Sequence, residues 1–241
     1  MLNNQTPFAV FDIDGTLLRW QLYHAVTDQL IKSGKFDGQE FESVRQARRT
    51  WKDRSHASSY QDYEITLVEY FEKAIRGLTR QELVDASKMV LEEYKDQVYT
   101  YTRDLINDLK IKNYKLFAIS ASQKEIVELL AKYYGFDAFA GTIYEVENDK
   151  YTGESLVLRK EKKVEVLKEF INWHNCSLKD SIAVGDSDSD IPMLSYVEKP
   201  IAFNPSRELY EHAKLNNWDV VIERKNVVYK LRPSNQGYIL K

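Results

Sequence analysis

Four short apolar runs without polar alternation punctuate the chain, and each ends on polar residues. They are Phe8-Ala9-Val10-Phe11 before Asp12-Ile13-Asp14-Gly15-Thr16, Leu116-Phe117-Ala118-Ile119 before Ser120, Ile182-Ala183-Val184 before Gly185-Asp186, and Pro200-Ile201-Ala202-Phe203 before Asn204. A strand with apolar side chains on both faces is buried on both, so the pattern predicts parallel strands inside a covered sheet. Helical spacing fills the intervals. Ser122 with Glu125 three residues on reads as a capping box, and Ile126, Leu129, Leu130 and Tyr133 carry the stripe to Gly135. Val164, Leu167 and Ile171 repeat the spacing, and Asn204-Pro205 reads as a cap with proline opening another helix. Strands alternating with helices predict an α/β fold: a Rossmann-like parallel sheet core with helices on both faces.

The stretch 18–101 has helical stripes and no strand pattern. Leu22, Val26 and Leu30 precede Gly34, and a second capping box, Thr79 with Glu82, leads into Leu83, Ala86, Val90 and Tyr94. An all-helical insertion at 18–101 is therefore expected directly after the first strand, with 1–17 and 102–241 forming the α/β core. No Pro/Gly-rich linker separates the two, so they are expected to pack together. The tail, 224–241, is basic and has no assignable periodicity.

With 241 residues, 43% hydrophobic and 29% charged, the chain can build one sizeable core plus an insertion rather than two full enzymatic domains. A formal charge of −3 offers no whole-chain attraction to nucleic acid or to an anionic membrane. The single cysteine, Cys176, excludes an intrachain disulfide and a thiolate metal cluster, which fits a reducing compartment. Residues 1–7 carry no Lys or Arg, and the apolar run that follows is broken by Asp12 and Asp14. Neither a signal peptide nor a spanning helix is expected, and the chain reads as a soluble cytoplasmic protein.

Asp12 and Asp14 stand two apart at a strand end, so both side chains leave the carboxyl edge of the sheet on one side, where open α/β sheets bind ligands. Two such carboxylates repel, and a bound cation would relieve the repulsion; Gly15 permits a sharp turn, and Thr16 can hydrogen-bond within it. A loop of two solvated acids is the alternative. Ser120 ends the second run at the same edge, and with Ser122 as the helix cap its hydroxyl is left for a ligand. Lys163 lies in the run Arg159-Lys160-Glu161-Lys162-Lys163, which by itself also fits a solvated helix face. Gly185-Asp186-Ser187-Asp188-Ser189-Asp190 places three acids at a third strand end. A calcium loop would need Gly at its sixth position and Glu at its twelfth, where Ile191 and Val197 stand.

In this order the four pieces resemble the haloacid dehalogenase superfamily of phosphotransferases. Asp14 to Ser120 spans 106 residues and Ser120 to Lys163 only 43, which leaves room for a helical cap after the first motif and for no large second cap. With Ile119-Ser120-Ala121-Ser122 and Gly185 to Asp190, the layout is similar to the phosphoserine-phosphatase-like branch. The resemblance implies that Asp12 is a nucleophile forming an aspartyl-phosphate, and that Asp14 protonates the leaving oxygen and later takes a proton from water. It implies Mg2+ held by the Asp12 carboxylate, the Asp14 backbone carbonyl and Asp186, with Asp190 supporting that shell, and phosphoryl oxygens held by Ser120 and Lys163. Lys163 is preferred to Lys160 and Lys162 because the lysine of this family directly precedes the apolar stripe, here Val164 and Leu167. The implied activity is a magnesium-dependent phosphatase acting on a small phosphorylated metabolite; phosphoryl transfer to another acceptor would use the same aspartates.

Phosphoserine phosphatases of this branch carry a glutamate seven residues beyond the second aspartate and a cap arginine for the substrate carboxylate. Gln21 and either Val68 or Tyr70 occupy those places here, so a substrate other than phosphoserine is expected. Trp20, Gln21 and His24 are candidate entrance residues, with core packing of the aromatics as the alternative. The segment Arg45 to Arg54 carries a local charge of +4, facing either solvent or the cleft. With Trp51, Tyr60 and Tyr63 it admits a function of another class, a non-catalytic nucleic-acid-binding module, against which the full set of acids argues. Neither membrane nor nucleic acid is the expected partner.

Overall fold

A computed structural model describes residues 5–156, 160–234 and 237–241. Strand β1 (Thr6–Phe11) is followed by α1 (Leu22–Lys32), α2 (Glu42–Lys52), α3 (Ser59–Ala74) and α4 (Arg80–Tyr94). Then come α5 (Thr100–Ile111), β2 (Lys115–Gln123), α6 (Lys124–Tyr134) and the hairpin β3 (Ala138–Glu147) and β4 (Lys150–Leu156). The chain continues through α7 (Lys160–Trp173), β5 (Cys176–Gly185), α8 (Ile191–Leu194), β6 (Lys199–Phe203), α9 (Arg207–Leu215), β7 (Asp219–Arg224), β8 (Val227–Ser234) and β9 (Gly237–Leu240).

The strands form one nine-stranded sheet in the order β4-β3-β2-β1-β5-β6-β7-β8-β9. From β3 to β7 every pairing is parallel, and antiparallel hairpin strands extend both edges. The apolar runs are unbroken because each strand feeds two cores. Ala9 and Phe11 of β1 join Leu116 and Ala118 of β2 and Val184 of β5 on one face, with α5, α6 and the helices of the insertion. Phe8 and Val10 join Phe117, Ile119 and Ala183 on the other, under α7, α8 and α9. Chain order reverses at β1, whose neighbours are β2 and β5, so the carboxyl ends of these three strands frame the crevice in which such sheets bind ligands.

Two adjacent crossings join the helical insertion to the sheet. Tyr99 N–H donates to the Leu17 carbonyl and Arg19 N–H to the Gln97 carbonyl, both at 2.9 Å. Buried Glu223, at the end of β7, accepts from the first amides of α5, Thr100 (3.1 Å) and Tyr101 (2.8 Å), and pairs with Arg19. A carboxylate there satisfies orphan donors and the positive end of the helix at once.

Some local expectations are corrected. Ser122 does not cap α6: β2 continues through Gln123, and Glu125 instead accepts from the Tyr151 hydroxyl at 2.8 Å. Asn204 does not cap α9. It sits at φ +42°, its side-chain oxygen accepts from Glu223 N–H, and Ser206 caps the helix by accepting from Leu209 N–H. The 224–241 tail, which has no readable periodicity, forms β8 and β9, whose side chains stay half-buried or exposed and therefore do not alternate. Thr79 and Glu82 do form their capping box on α4.

Candidate active site

The acids converge because three strand ends meet. Asp12 follows β1, and its N–H donates to the Val184 carbonyl of β5 at 3.0 Å, so parallel pairing continues one residue past the strand. Lys163, in the first turns of α7 and 2% exposed, places Nζ 2.8 Å from Asp12 Oδ1 and 2.7 Å from Asp190 Oδ1. Asp12 is 5% exposed and Asp190 fully buried. Lys162 is exposed, Arg159 lies outside the described residues, and so do the side chains of Lys160 and Glu161.

The 3₁₀ turn Asp188–Asp190 follows β5 and folds Asp190 back beneath the loop. Its Oδ2 accepts from the N–H groups of Asp186 and Ser187, both at 3.1 Å. Asp186 is oriented by Thr16, whose hydroxyl donates to its Oδ1 at 3.0 Å, so Thr16 reaches across to another strand end rather than bonding inside its own turn. Gly15 adopts φ +84°, and a Cβ there would fall 2.3 Å from Asp186 Oδ2. Glycine thus serves both the left-handed turn and the approach of the acid.

Asp12, Asp186 and Asp190 each offer an oxygen within 4.8 Å of the others. Opposite ligands of a magnesium ion bonded at 2.0–2.1 Å are about 4.2 Å apart, so this all-oxygen set suits a small hard cation. Burial pushes Asp12 well above the usual carboxylate range against the pull of Lys163, with Asp190 and Asp14 adding to the rise. Burial raises Asp186 as well, followed by the charges of Asp12 and Asp190. For Lys163, burial disfavours the charge, but the two aspartates outweigh it and hold the ammonium protonated.

Asp14 faces the other way. Its Oδ2 accepts from the hydroxyls of Ser120 (2.7 Å) and Ser122 (2.8 Å), and its Oδ1 from Leu22 N–H at 2.5 Å. Burial raises its pKa, partly offset by these bonds. Ser120 therefore contacts Asp14 directly, and Ser122 belongs to the site. The sequence held a hint of Ser122's role: side chains two apart on a strand share a face.

Asp14, Gly15, Trp20, Gln21, His24, Arg48, Trp51, Tyr60 and Asp186 line a cleft of about 250 Å³. A larger hollow of about 410 Å³ between α3 and β4 holds none of the clustered aspartates; its walls are solvated charges such as Glu69, Lys73 and Arg76. The chemistry selects the smaller one. Trp20, Gln21 and His24 all reach it, and Gln21 donates its amide to the Tyr60 hydroxyl. His24 is buried: Arg48 Nη1 lies 2.8 Å from its Nε2, Tyr63 hydroxyl lies against Nδ1, and Asp28 stands 3.0 Å from Nε2. Both ring nitrogens are therefore engaged, Nε2 between Arg48 and Asp28 and Nδ1 by Tyr63. That histidine anchors the wall rather than carrying protons for a substrate.

The basic segment divides. Arg45 and Arg49 face solvent and pair with Glu42, whereas Arg48 turns inward, 4.8 Å over the Trp20 ring. The hint was spacing, since Val44, Arg48 and Trp51 share one face of α2 and Val44 is buried. Trp51 stacks on Tyr63 at 5.1 Å and meets Tyr60 at 5.0 Å, so these rings are spent on one another and form no open platform for bases. Val68 and Tyr70 bring no charge to the cleft; Tyr70 donates to the Asp37 carbonyl. Glu64, one turn beyond Tyr60 on α3, is exposed and does not line the cleft. Among the described residues no helix is long and apolar enough to cross a membrane.

Comparison with known proteins bears on the family and the fold. The haloacid dehalogenase-like hydrolase family matches residues 9–195. The chain is similar to a histidinol-phosphatase of Neisseria meningitidis serogroup C (strain 8013), 26% identical over 223 residues, covering 88% of this chain and 97% of that protein. Other curated phosphatases are matched over less than half of their own length. Among solved structures, a protein of unknown function from Bordetella pertussis Tohama I superposes with a TM-score of 0.73 at 21% identity, covering 91% of this chain and 99% of that one. A substrate-bound phosphoserine phosphatase gives a TM-score of 0.66 at 20% identity, covering 92% and 95%. At these identities the structural likeness is one of fold.

Proposed function

The chain belongs to the haloacid dehalogenase-like hydrolase family, and from that premise we propose that it is a magnesium-dependent phosphatase that hydrolyses a small phosphomonoester other than phosphoserine through an aspartyl-phosphate on Asp12. The observation that carries this reading is the buried ammonium of Lys163 between Asp12 (2.8 Å) and Asp190 (2.7 Å), with Asp186 completing a three-acid cluster beside it. Clustered acids held largely out of water cost the fold stability, and such clusters concentrate at ligand sites. The helical insertion, 18–101, is read as a cap whose Trp20, Gln21 and Tyr60 close over the phosphate.

Asp12 would attack phosphorus and release the alcohol, splitting one difficult displacement into two easier ones. Asp14, whose pKa burial raises, would donate to the leaving oxygen and then accept a proton from the attacking water. Ser120 and Ser122 would hold its carboxyl in line for both transfers. Lys163 would lend positive charge to the phosphoryl oxygens while keeping Asp12 oriented. Magnesium held by Asp12, Asp186 and the Asp14 carbonyl, with Asp190 behind, would supply charge that offsets the electron density of the transferring group.

The test is phosphate release from a panel that includes phosphoserine, histidinol phosphate, sugar phosphates and nucleoside monophosphates, with magnesium and with chelator. Turnover that needs magnesium and ranks phosphoserine low is expected. Absence of release from every ester would overturn hydrolysis, and a phosphoserine optimum would overturn the substrate reading.

Metal binding carries its own pH signature. Asp12 and Asp186 have folded pKa values above those of the unfolded chain, so their contribution to stability is present below the unfolded value, about pH 4, and is lost as pH rises through the raised values. Magnesium needs the ionised carboxylates, so it should stabilise most where the metal-free fold is weakest. Thermal melts are expected to show a magnesium-induced rise of roughly 5 °C or more at pH 8 and a much smaller one at pH 5. Equal shifts at both pH values would remove these acids from the metal site.

A further inference from the structure

An ester can reach Asp12 only if part of the wall above it moves, because Asp12 is 5% exposed, Lys163 2% and Asp190 0%. Three of the four helices α1 to α4 are each tied to the α/β core. Leu22 N–H, opening α1, donates to Asp14, and Tyr23 of α1 shares a hydroxyl hydrogen bond with Tyr144 of β3. Glu72 of α3 accepts from the Ser155 hydroxyl of β4 at 2.7 Å. Gly153 lets α3 lie directly on β4, since a Cβ there would fall 2.7 Å from the Glu72 carbonyl oxygen. Helix α4 is held at both ends. At its start Gly77 N–H donates to the Tyr151 carbonyl and Tyr151 N–H to the Leu78 carbonyl, both at 2.9 Å, and at its end the Lys95 carbonyl accepts from the Tyr134 hydroxyl of α6 at 2.5 Å. A body fastened at the β3–β4 hairpin, at α6 and at the Glu223 crossings cannot swing away in one piece without breaking all of these bonds.

Helix α2 has no such tie. Among the described residues its single hydrogen bond to another helix runs from Arg48 to His24, and only Val44 of its eleven residues is buried, against seven of eleven in α1. The stretch 52–58 that follows it is exposed throughout. The seam between α2 and the start of α1 is also incompletely satisfied: Trp20 Nε1 and Arg48 Nε are buried there with no hydrogen-bond partner. Parting the two gives both donors water, which lowers the cost of opening at this seam. Resting on the phosphatase reading above, we propose that α2 alone is the lid of the site: it lifts, carrying Arg48 and Trp51 out of the cleft to admit the ester, while α1, α3 and α4 stay in place as a fixed frame.

Hydrogen exchange on the full chain tests the mobility. Amides of α2 should be protected at least about tenfold less than those of α1, α3 and α4, and magnesium with inorganic phosphate should raise protection in α2 alone. Equal protection across the four helices, or a rise shared by all of them, overturns the lid. A disulfide tests the frame. Thr79 and Lys150 face each other as an isolated antiparallel bridge between the Tyr151–Leu78 and Arg80–Asp149 backbone bonds, the pairing that brings Cα atoms closest. Thr79→Cys with Lys150→Cys should therefore close a disulfide that locks β4 to the start of α4, and the native Cys176 is buried away from it. Oxidised and reduced protein should turn over the best ester of the panel within about twofold of each other. A loss of about tenfold or more on oxidation, reversed by reductant, means that all four helices must swing together and overturns the proposal. If no ester is hydrolysed the phosphatase reading falls, and exchange still decides whether α2 moves alone.

Discussion

Asp12→Asn should lower phosphate release by about a thousandfold or more, with the protein still folded. The amide keeps the shape of the side chain but cannot form the acyl-phosphate at neutral pH, so the loss falls on turnover rather than on substrate capture. The same change removes one of three clustered carboxylates that repel one another, and Asp190 still accepts from Lys163. Without magnesium at pH 8 the variant should therefore melt no lower than the parent, while the magnesium-induced rise should shrink because an ionised ligand is gone. Rates on the best ester of the panel, taken with melts in both conditions, check the two halves together. Retention of a tenth of the parental turnover would place the nucleophile elsewhere.

Removing the cation should do the opposite to stability. Lys163→Met keeps the length of the stem but leaves Asp12 and Asp190 buried and without their shared partner, a situation that costs about 3–5 kcal/mol when one member of a buried ionic cluster is deleted. Urea unfolding without metal should register a loss of that order. Turnover should fall by about a hundredfold or more if, as proposed, Lys163 is the cation on the phosphoryl oxygens. The ionic origin of the loss has a distinct mark: combined with Asp12→Asn, the lysine change should cost about 1–3 kcal/mol less than the sum of the two single effects. Strict additivity would mean that Lys163 acts through packing alone.

Much of this site could be read along the chain. Asp12 and Asp186 each stand where an apolar run ends, and local pattern is enough to identify such junctions; Lys163 was picked out of its basic run only by the family resemblance. Ser122 was misassigned for a physical reason. A serine three residues before a glutamate fits a helix cap as well as a strand end, and only Asp14, 108 residues away in sequence, claims its hydroxyl. Thr16 is similar: its partner Asp186 lies 170 residues along the chain. Arg48 was hidden in a run of charges whose members differ only in the helix face they occupy.

The hairpins at the sheet edges escaped notice because edge strands face solvent on more than one side and lose the apolar signature of the central ones. By itself the sequence determined the parallel α/β core, the run of helices after the first strand and the residue types that meet at the strand ends. These follow from periodicity and turn chemistry, which are local. Only the tertiary structure decided that Asp190 shares Lys163 with Asp12, that Asp14 turns to the serines of β2, and that one arginine of the basic run faces inward. Those choices depend on which distant groups burial forces together, since a buried charge or hydroxyl must find its partner wherever the fold brings one.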